Sequence, residues 1–314
     1  MRKETDEERR KKREASIRGM LLREMIADVT KTSKGHAFQT GELRKNPKEP
    51  PFKCPDTFIR ELIAADHFNM EYYSKVENPR PKVVLQLHGG GYIGPLRNAY
   101  RRFSIVYSKC GGGCHVLTID YRVAPEHPYP AALEDAMVAY HWLLREKSFK
   151  PEDIVIAGDS AGGGLALGLC HFLKDHNFPL PAGIIVMSPW TDLALTGESY
   201  EENFEKDPLF GRTRDSMIYN CTYVTKEEDR MNPYVSPLYG DFTGFPPILF
   251  RVGDQEMLLS DTLLTAKKAR EAGVKVKTSV YEGMFHVFQM GLHMIPESKA
   301  AWDEVCKFLN KMWK

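Results

Sequence analysis

The sequence predicts an α/β protein with a mostly parallel, eight-stranded sheet that helices cover on both faces. Short, nearly continuous apolar runs such as 82–87 (KVVLQL) and Gly183–Met187 are typical of strands buried on both sides. Helical patterns alternate with these runs after residue 55, as they do in parallel sheets. A chain of 314 residues has room for one large domain with an insertion, or for two domains.

The other predicted elements follow in the same alternation. Candidate strands lie at 57–64, 67–76, 116–119, 154–157, 248–252 and 274–281, and candidate helices at 130–146, 161–174, 258–272 and 296–313. Residues 1–54 are predicted to form an N-terminal helical arm, with a helix over 5–30 and a polar linker over 31–51. Residues 55–314 form the main domain, which a helical cap insertion interrupts at about 190–236, after the sixth strand.

The composition excludes several classes of protein. Hydrophobic residues make up 42% and charged residues 27%, which excludes collagen-like and wholly disordered chains. Because 43 basic residues balance 42 acidic ones, we expect neither a nucleic-acid partner nor stable membrane insertion. The basic run at 9–13 is closely flanked by acids and is typical of a solvated helix face. With six sparse cysteines and no apolar leader segment, the sequence indicates a cytoplasmic protein without a disulfide framework.

One motif lies between a predicted strand and a predicted helix. Residues 158–162 read Gly-Asp-Ser-Ala-Gly, a G-x-S-x-G sequence. Small residues beside Ser160 allow a tight turn that lifts the hydroxyl out of the sheet's end, where the helix N-terminus also points its amides. Ser160 is therefore the candidate nucleophile. Taken alone, the motif also fits a plain turn or a phosphate-binding loop, so its partners must decide.

A glycine-rich loop is the first of those partners. Residues 88–92, His-Gly-Gly-Gly-Tyr, directly follow the strand at 82–87. Without Cβ atoms, the amides of Gly90 and Gly91 can converge on one negatively charged oxygen, and Ala161 would supply a third donor. The alternative is a merely flexible loop. His88 is expected to order the loop rather than to act as a base.

The acid and the base are expected to follow the nucleophile along the chain. Asp254 comes just after the strand at 248–252, and His286 follows the next strand. We predict that His286 takes the proton of Ser160, while Asp254 fixes the imidazole tautomer and stabilises its cation. His293 is a rival base, and Glu256 and Asp261 are rival acids that resemble charges in the first turn of a helix.

A metal site is the weaker interpretation of the remaining chemistry. Cys110, Cys114 and His115 offer three soft ligands, but no second cluster completes a tetrahedron. The sequence therefore predicts no metal.

Four motifs in this order resemble the hormone-sensitive-lipase family of α/β-hydrolases: HGGGY at 88–92, DYRVAPEHPYPAALED at 120–135, GDSAGG at 158–163 and VGDQEMLLSD at 252–261. The resemblance covers about residues 55–312. It implies a carboxylic-ester hydrolase without a cofactor, with the triad and oxyanion hole assigned above and a cap built partly from the N-terminus.

We therefore expect a serine carboxylesterase that hydrolyses small, short-acyl esters through a covalent acyl-enzyme. Tyr92, Asp159, Trp190 and Phe204 are the candidate substrate-binding residues, although aromatic side chains equally fit a cap core. Two alternatives remain open: a small-ligand receptor, since the family resembles plant gibberellin receptors, and an amidase or peptidase on the same scaffold. The presence of His286 argues against the receptor. A homodimer is possible.

Overall fold

A computed structural model describes residues 15–45 and 49–314 of the chain. Its eight strands form one sheet in the order β1-β2-β4-β3-β5-β6-β7-β8, in which β2 runs antiparallel to its neighbours and the others pair in parallel. The strands are β1 (Phe58–Ala64), β2 (Asn69–Lys75), β3 (Arg80–Leu87), β4 (Cys114–Asp120), β5 (Ile154–Asp159), β6 (Gly183–Met187), β7 (Ile248–Gly253) and β8 (Val276–Tyr281). The predicted fold class is confirmed.

Helices pack on both faces of this sheet. Within the described residues they are α1 (Ile17–Thr30), α2 (Ser33–Gln39), α3 (Asn98–Cys110), α4 (Ala131–Arg145), α5 (Ala161–Asp175), α6 (Ser199–Glu202), α7 (Leu259–Glu271) and α8 (Pro296–Met312). The central strands β5, β6 and β7 are buried along their whole length, which explains their continuous apolar sequences. Because the parallel strands run in the same direction, their carboxyl ends lie along one side of the sheet. The loops that follow these strands can bring functional side chains together there.

Three regions differ from the predicted pattern. The sequence patterns do not predict α3, because arginine and serine interrupt its buried aromatic positions. The predicted linker contains α2 and a 3₁₀ turn at Glu42–Lys45. Thr32 caps the N-terminus of α2, because its hydroxyl accepts a hydrogen bond from the Gly35 amide. The insertion between β6 and β7 is mostly turns rather than helical, with the short α6 as its one α-helix among the described residues. The predicted capping box at 5–8 and the basic run at 9–13 lie outside the described residues.

The cysteines also differ from the prediction. Cys110, at the end of α3, forms a disulfide with Cys306 on α8, while Cys54, Cys114, Cys170 and Cys221 are free thiols. The sequence implies no disulfide framework and gives no signal for this pair, because the two cysteines lie 196 residues apart and only the packing of α8 against α3 brings them together. No helix of the described ranges is long and apolar enough to cross a membrane.

The contact between α5 and the insertion yields a testable prediction. A Cβ built on Gly168, in the middle of α5, would lie 2.5 Å from the backbone oxygen of Tyr234. Alanine normally favours a helix over glycine by about 1 kcal/mol. Here we expect Gly168→Ala to lower the free energy of unfolding by about 2 kcal/mol instead, because a fixed carbonyl must move. Denaturant unfolding of the two proteins measures this difference.

Gly19→Ala on α1 is the matched control. A Cβ there would meet side-chain atoms only, Met284 Cε at 2.6 Å and Glu297 Oε2 at 3.1 Å, which shift more easily than a backbone carbonyl. We expect this variant to lose clearly less stability than Gly168→Ala. If Gly168→Ala stabilised the protein, the proposed tight contact of α5 with the insertion would be wrong.

Candidate active site

Ser160 lies in a sharp turn between β5 and α5. Its φ of +53° lies in a backbone region that few non-glycine residues adopt, and its amide donates to Met187 O at 2.9 Å. Two glycines make the turn possible. A Cβ on Gly158 would lie 2.1 Å from Gly162 O, and a Cβ on Gly162 would lie 2.1 Å from Leu87 O. The start of α5 therefore contacts the end of β3, which leads into the glycine loop.

His286 faces this serine from the loop after β8. Its Nε2 lies 2.8 Å from Ser160 Oγ, and the imidazole is buried. The next residue, Val287, has a left-handed φ of +48° and donates its amide to Ser188 Oγ at 3.1 Å. The aromatic ring of Phe210 packs edge-on against the imidazole, with 5.0 Å between the ring centroids. The loop and this ring hold the imidazole in place beside the hydroxyl.

The other imidazole nitrogen contacts Glu256. Glu256 Oε2 lies 3.0 Å from His286 Nδ1, and Oε1 accepts hydrogen bonds from Ser188 Oγ at 2.8 Å and from the Gly253 amide at 2.5 Å. The carboxyl is completely buried, and this burial raises its pKa. The contacts with His286, Gly253 and Ser188 act in the opposite direction and favour the ionised form. Ser160, His286 and Glu256 thus form a continuous hydrogen-bonded relay.

Asp254 does not contact the histidine, so its predicted role is wrong. Its Oδ1 accepts hydrogen bonds from the Gly283 amide at 2.7 Å and from Gln255 Nε2 at 2.8 Å. The chain turns after Gly253, and this turn fastens Asp254 to the neighbouring loop while Glu256 reaches the imidazole. Glu256 is not a first-turn helix charge either, since α7 begins only at Leu259. The rival acid Asp261 instead accepts hydrogen bonds from the amides of Thr191 and Asp192.

Side chains of the insertion hold the loop that carries Glu256. Asn203 Nδ2 donates to the carbonyl oxygens of Asp254 and Glu256, at 3.0 and 2.8 Å. Asp207 accepts from the Met257 amide at 2.9 Å and from the Phe210 amide at 3.1 Å. Sequence reasoning missed Asn203, Asp207 and the bridging Ser188, because nothing in their spacing marks contacts with a loop some 50 residues or more away.

The glycine loop adopts the backbone conformation that its composition predicts. The φ angles are +121° at Gly90 and +64° at Gly91, and Gly90 O accepts from the amides of Ile93 and Gly94. In the described part of the chain, the Gly91 amide has no hydrogen-bond partner. His88 is buried, donates from Nδ1 to Gly89 O at 2.8 Å, and stacks on Tyr121 with 4.1 Å between the ring centroids. Ala161 begins α5 directly after Ser160, so its amide belongs to the same turn.

The four predicted substrate-binding residues lie in different environments. Tyr92 is buried and stacks on Tyr223 at 3.9 Å, and Trp190 is also completely buried. Asp159 is buried beside the glycine loop, where burial raises its pKa to about 7. Phe204 is half-buried beneath the guanidinium of Arg214. Tyr92 and Trp190 therefore belong to the main hydrophobic core, where neither side chain is exposed.

Other apolar side chains, outside that group of four, lie closer to the reacting groups. Met217 Sδ lies so near Gly91 that a Cβ on that glycine would be 2.5 Å away. Phe210, beside His286, also stacks on Phe38 of the N-terminal arm at 6.3 Å. The Met217 amide donates to Gln39 O at 2.7 Å, so the arm and the insertion meet beside the site. Phe38 and Phe210 stood among many aromatic residues in the sequence, and no local signal separated them from the rest.

The described residues contain no cluster of His, Cys, Asp and Glu side chains that could hold a metal ion. Cys110, one of the candidate zinc ligands, is bonded to Cys306 instead.

Comparison with known proteins identifies relatives of this chain. A family model described as the α/β hydrolase fold matches residues 84–290. An esterase of Acinetobacter venetianus is 36% identical over 240 residues, 76% of this chain and 78% of that protein. An acetyl-hydrolase of Streptomyces hygroscopicus is 37% identical over 250 residues, 80% of this chain and 82% of that protein.

Solved structures agree with these sequence relatives. The structure of EstE5 soaked with p-nitrophenyl butyrate has a TM-score of 0.85 at 34% identity and covers 95% of this chain and 99% of its own. An esterase from the bacterial hormone-sensitive lipase family has a TM-score of 0.77 at 32% identity, with 90% and 99% covered. This chain thus belongs to the α/β-hydrolase fold family, among the esterases of the hormone-sensitive-lipase type, and is a carboxylic-ester hydrolase.

Proposed function

We propose that this esterase cleaves short-acyl carboxylic esters through a covalent acyl-enzyme on Ser160. The observation that carries the proposal is the relay of two short contacts, 2.8 Å from Ser160 Oγ to His286 Nε2 and 3.0 Å from His286 Nδ1 to Glu256 Oε2. A serine hydroxyl is a weak nucleophile by itself, and a neighbouring base that is oriented by a third group activates it.

In the first half-reaction, His286 Nε2 accepts the hydroxyl proton as Ser160 Oγ bonds to the ester carbonyl carbon. The carbonyl π-electrons move to oxygen, and the Gly90, Gly91 and Ala161 amides stabilise this oxyanion. The carbonyl then re-forms, the bond to the alcohol oxygen breaks, and His286 returns the proton to that oxygen. Glu256 remains ionised, holds the tautomer and stabilises the imidazolium.

In the second half-reaction, water replaces the alcohol. His286 removes one proton from the water as its oxygen attacks the acyl carbon, and the same amides stabilise the second oxyanion. Collapse of this intermediate releases the carboxylic acid and returns the proton to Ser160 Oγ. The acid and base roles thus alternate on one imidazole.

The preference for a short acyl chain rests on the apolar side chains beside the reacting groups. Met217 contacts Gly91 and Phe210 contacts His286, so both flank the position of the ester carbonyl. The 37% identical acetyl-hydrolase of Streptomyces hygroscopicus supports a small acyl group.

The nucleophile assignment predicts the effect of Ser160→Ala. We expect kcat for p-nitrophenyl acetate to fall by about 10⁴-fold or more, because the remaining oxyanion donors cannot replace the covalent step. Intact-mass analysis after mixing with this ester is expected to detect an acetyl adduct on the natural protein and none on the variant. Thermal unfolding controls for folding. Hydrolysis at the natural rate by a folded variant would refute the assignment.

Two matched amide substitutions test the orienting acid. Glu256→Gln is expected to lower kcat/KM by about 10³-fold, since it removes the charge that stabilises the imidazolium. Asp254→Asn keeps an oxygen for the Gly283 amide and is expected to lower kcat/KM by less than about tenfold, because Asp254 does not touch the imidazole. The reverse ranking, measured on folded proteins, would restore Asp254 to the relay.

Substitution of Met217 tests the acyl-pocket wall. Met217→Ala makes room for about two more methylenes of the acyl chain, and each buried methylene contributes about 0.8 kcal/mol. The kcat/KM for the octanoate ester, divided by that for the acetate ester, should therefore rise about tenfold. A ratio within one sample does not depend on how much of the protein is active. Met231→Ala is the control, since Met231 is exposed in the same insertion. An unchanged ratio in Met217→Ala would remove Met217 from the pocket.

A further inference from the structure

The outer face of α1 carries an apolar surface that nothing in the described residues covers. The exposed fractions are 72% for Ile17, 60% for Leu21, 64% for Met25 and 58% for Val29. These four residues recur every fourth position and form one ridge along the helix. Soluble proteins rarely leave such a continuous ridge in water without a partner.

The opposite face of α1 is fixed to the rest of the protein. Its N-cap Ser16 donates from both its amide and its hydroxyl to the Glu297 carboxylate, at 2.6 and 3.0 Å. Arg23 Nη1 donates to Gly283 O, and Thr30 Oγ1 donates to Pro208 O at 2.8 Å. Because these contacts hold the inner face, the ridge cannot rotate inward, and its cover must come from outside.

The order of apolar and charged residues along α1 indicates which kind of partner fits the ridge. Arg18, Leu21, Met25 and Asp28 are spaced three, four and three residues apart, the spacing of a seam between two packed helices. This spacing is the same when it is read in either direction. Two antiparallel copies of α1 would therefore set Leu21 against the partner's Met25 and Arg18 against the partner's Asp28. Apolar groups meet at the centre and opposite charges meet at both ends.

We propose that a second copy of this chain covers the ridge, and that the two α1 helices pack antiparallel about a two-fold axis between Leu21 and Met25. Parallel packing would instead place Arg18 against the partner's Arg18 and Asp28 against the partner's Asp28. The chain's own residues 1–14 are poorly suited as a cover, since Met1 is their one apolar residue. The acidic Glu24 and Asp28 on the exposed face disfavour an anionic lipid surface.

Sedimentation velocity of the full-length protein tests the proposal. A pair of helices of 14 residues has a small contact area, so we expect a reversible monomer–dimer equilibrium between about 1 and 100 µM. Leu21→Glu combined with Met25→Glu is expected to leave monomers throughout this range. Ile59→Glu, at an equally exposed site on β1, is the matched control and is expected to dimerise like the natural protein.

Charge reversal tests the antiparallel register. Arg18→Asp and Asp28→Arg are each expected to weaken association about tenfold, because each creates two like-charged contacts in the dimer. In the double variant R18D/D28R, position 18 still faces position 28 of the second copy, with the two charges exchanged. Opposite charges meet again, so this variant is expected to recover the affinity of the natural protein. Circular dichroism checks that α1 stays helical, since Asp28 also pairs with Lys31.

Three outcomes would overturn the proposal. The natural protein could remain monomeric at the highest concentration, the glutamate pair could leave a dimer intact, or the double variant could fail to recover affinity. Flotation with phosphatidylcholine vesicles distinguishes a lipid surface as the occupant. Binding of the monomeric natural protein, lost in the glutamate pair, would assign the ridge to lipid.

Discussion

The active site depends on the direct contact between the first turn of α5 and the end of β3. Gly162 lies so close to the carbonyl oxygens of Leu87 and His88 that a Cβ atom would be 2.1 and 2.4 Å from them. Ser160 directly precedes α5, and the glycine loop directly follows β3. This contact therefore fixes the distance between Ser160 and the glycine loop. A wider spacing would move the hydroxyl away from the Gly90 and Gly91 amides, which are the oxyanion donors of the proposed mechanism and act only if they are already in position.

The cap, which consists of the N-terminal arm and the insertion, also positions the active site, because it holds the loops that carry His286 and Glu256. Asn203 and Asp207 of the insertion bind the backbone on both sides of Glu256. On the arm side, Arg23 of α1 reaches Gly283, shortly before His286. Loops are usually the least constrained part of a fold. Here two separate segments of the chain hold them, so the geometry of the relay depends on the cap as well as on the sheet.

The sheet, the turn at Ser160 and the loop with His286 could be predicted because each follows from local sequence. Apolar runs mark the strands, and small residues mark the tight turns. The acid could not be assigned in this way. Asp254 and Glu256 lie two residues apart at the end of one strand. Contacts with distant residues decide which carboxyl faces the imidazole, among them the hydrogen bonds from Gly283 to Asp254 and from Ser188 to Glu256. The disulfide and the contacts of the insertion likewise join residues far apart in sequence, which local patterns do not encode.

Ser188 lowers the cost of ionising the fully buried Glu256 carboxyl. An uncompensated buried charge is strongly destabilising, so Glu256 needs donors on both oxygens. The Ser188 hydroxyl donates to Glu256 and accepts from the Val287 amide, so one side chain contacts both the acid and the histidine loop. Its left-handed φ of +47° aims the hydroxyl from the end of β6 into this gap. Backbone strain at Ser160, Ser188 and Val287 is therefore concentrated where three loops meet, and it is tolerated because each strained residue positions a member of the relay.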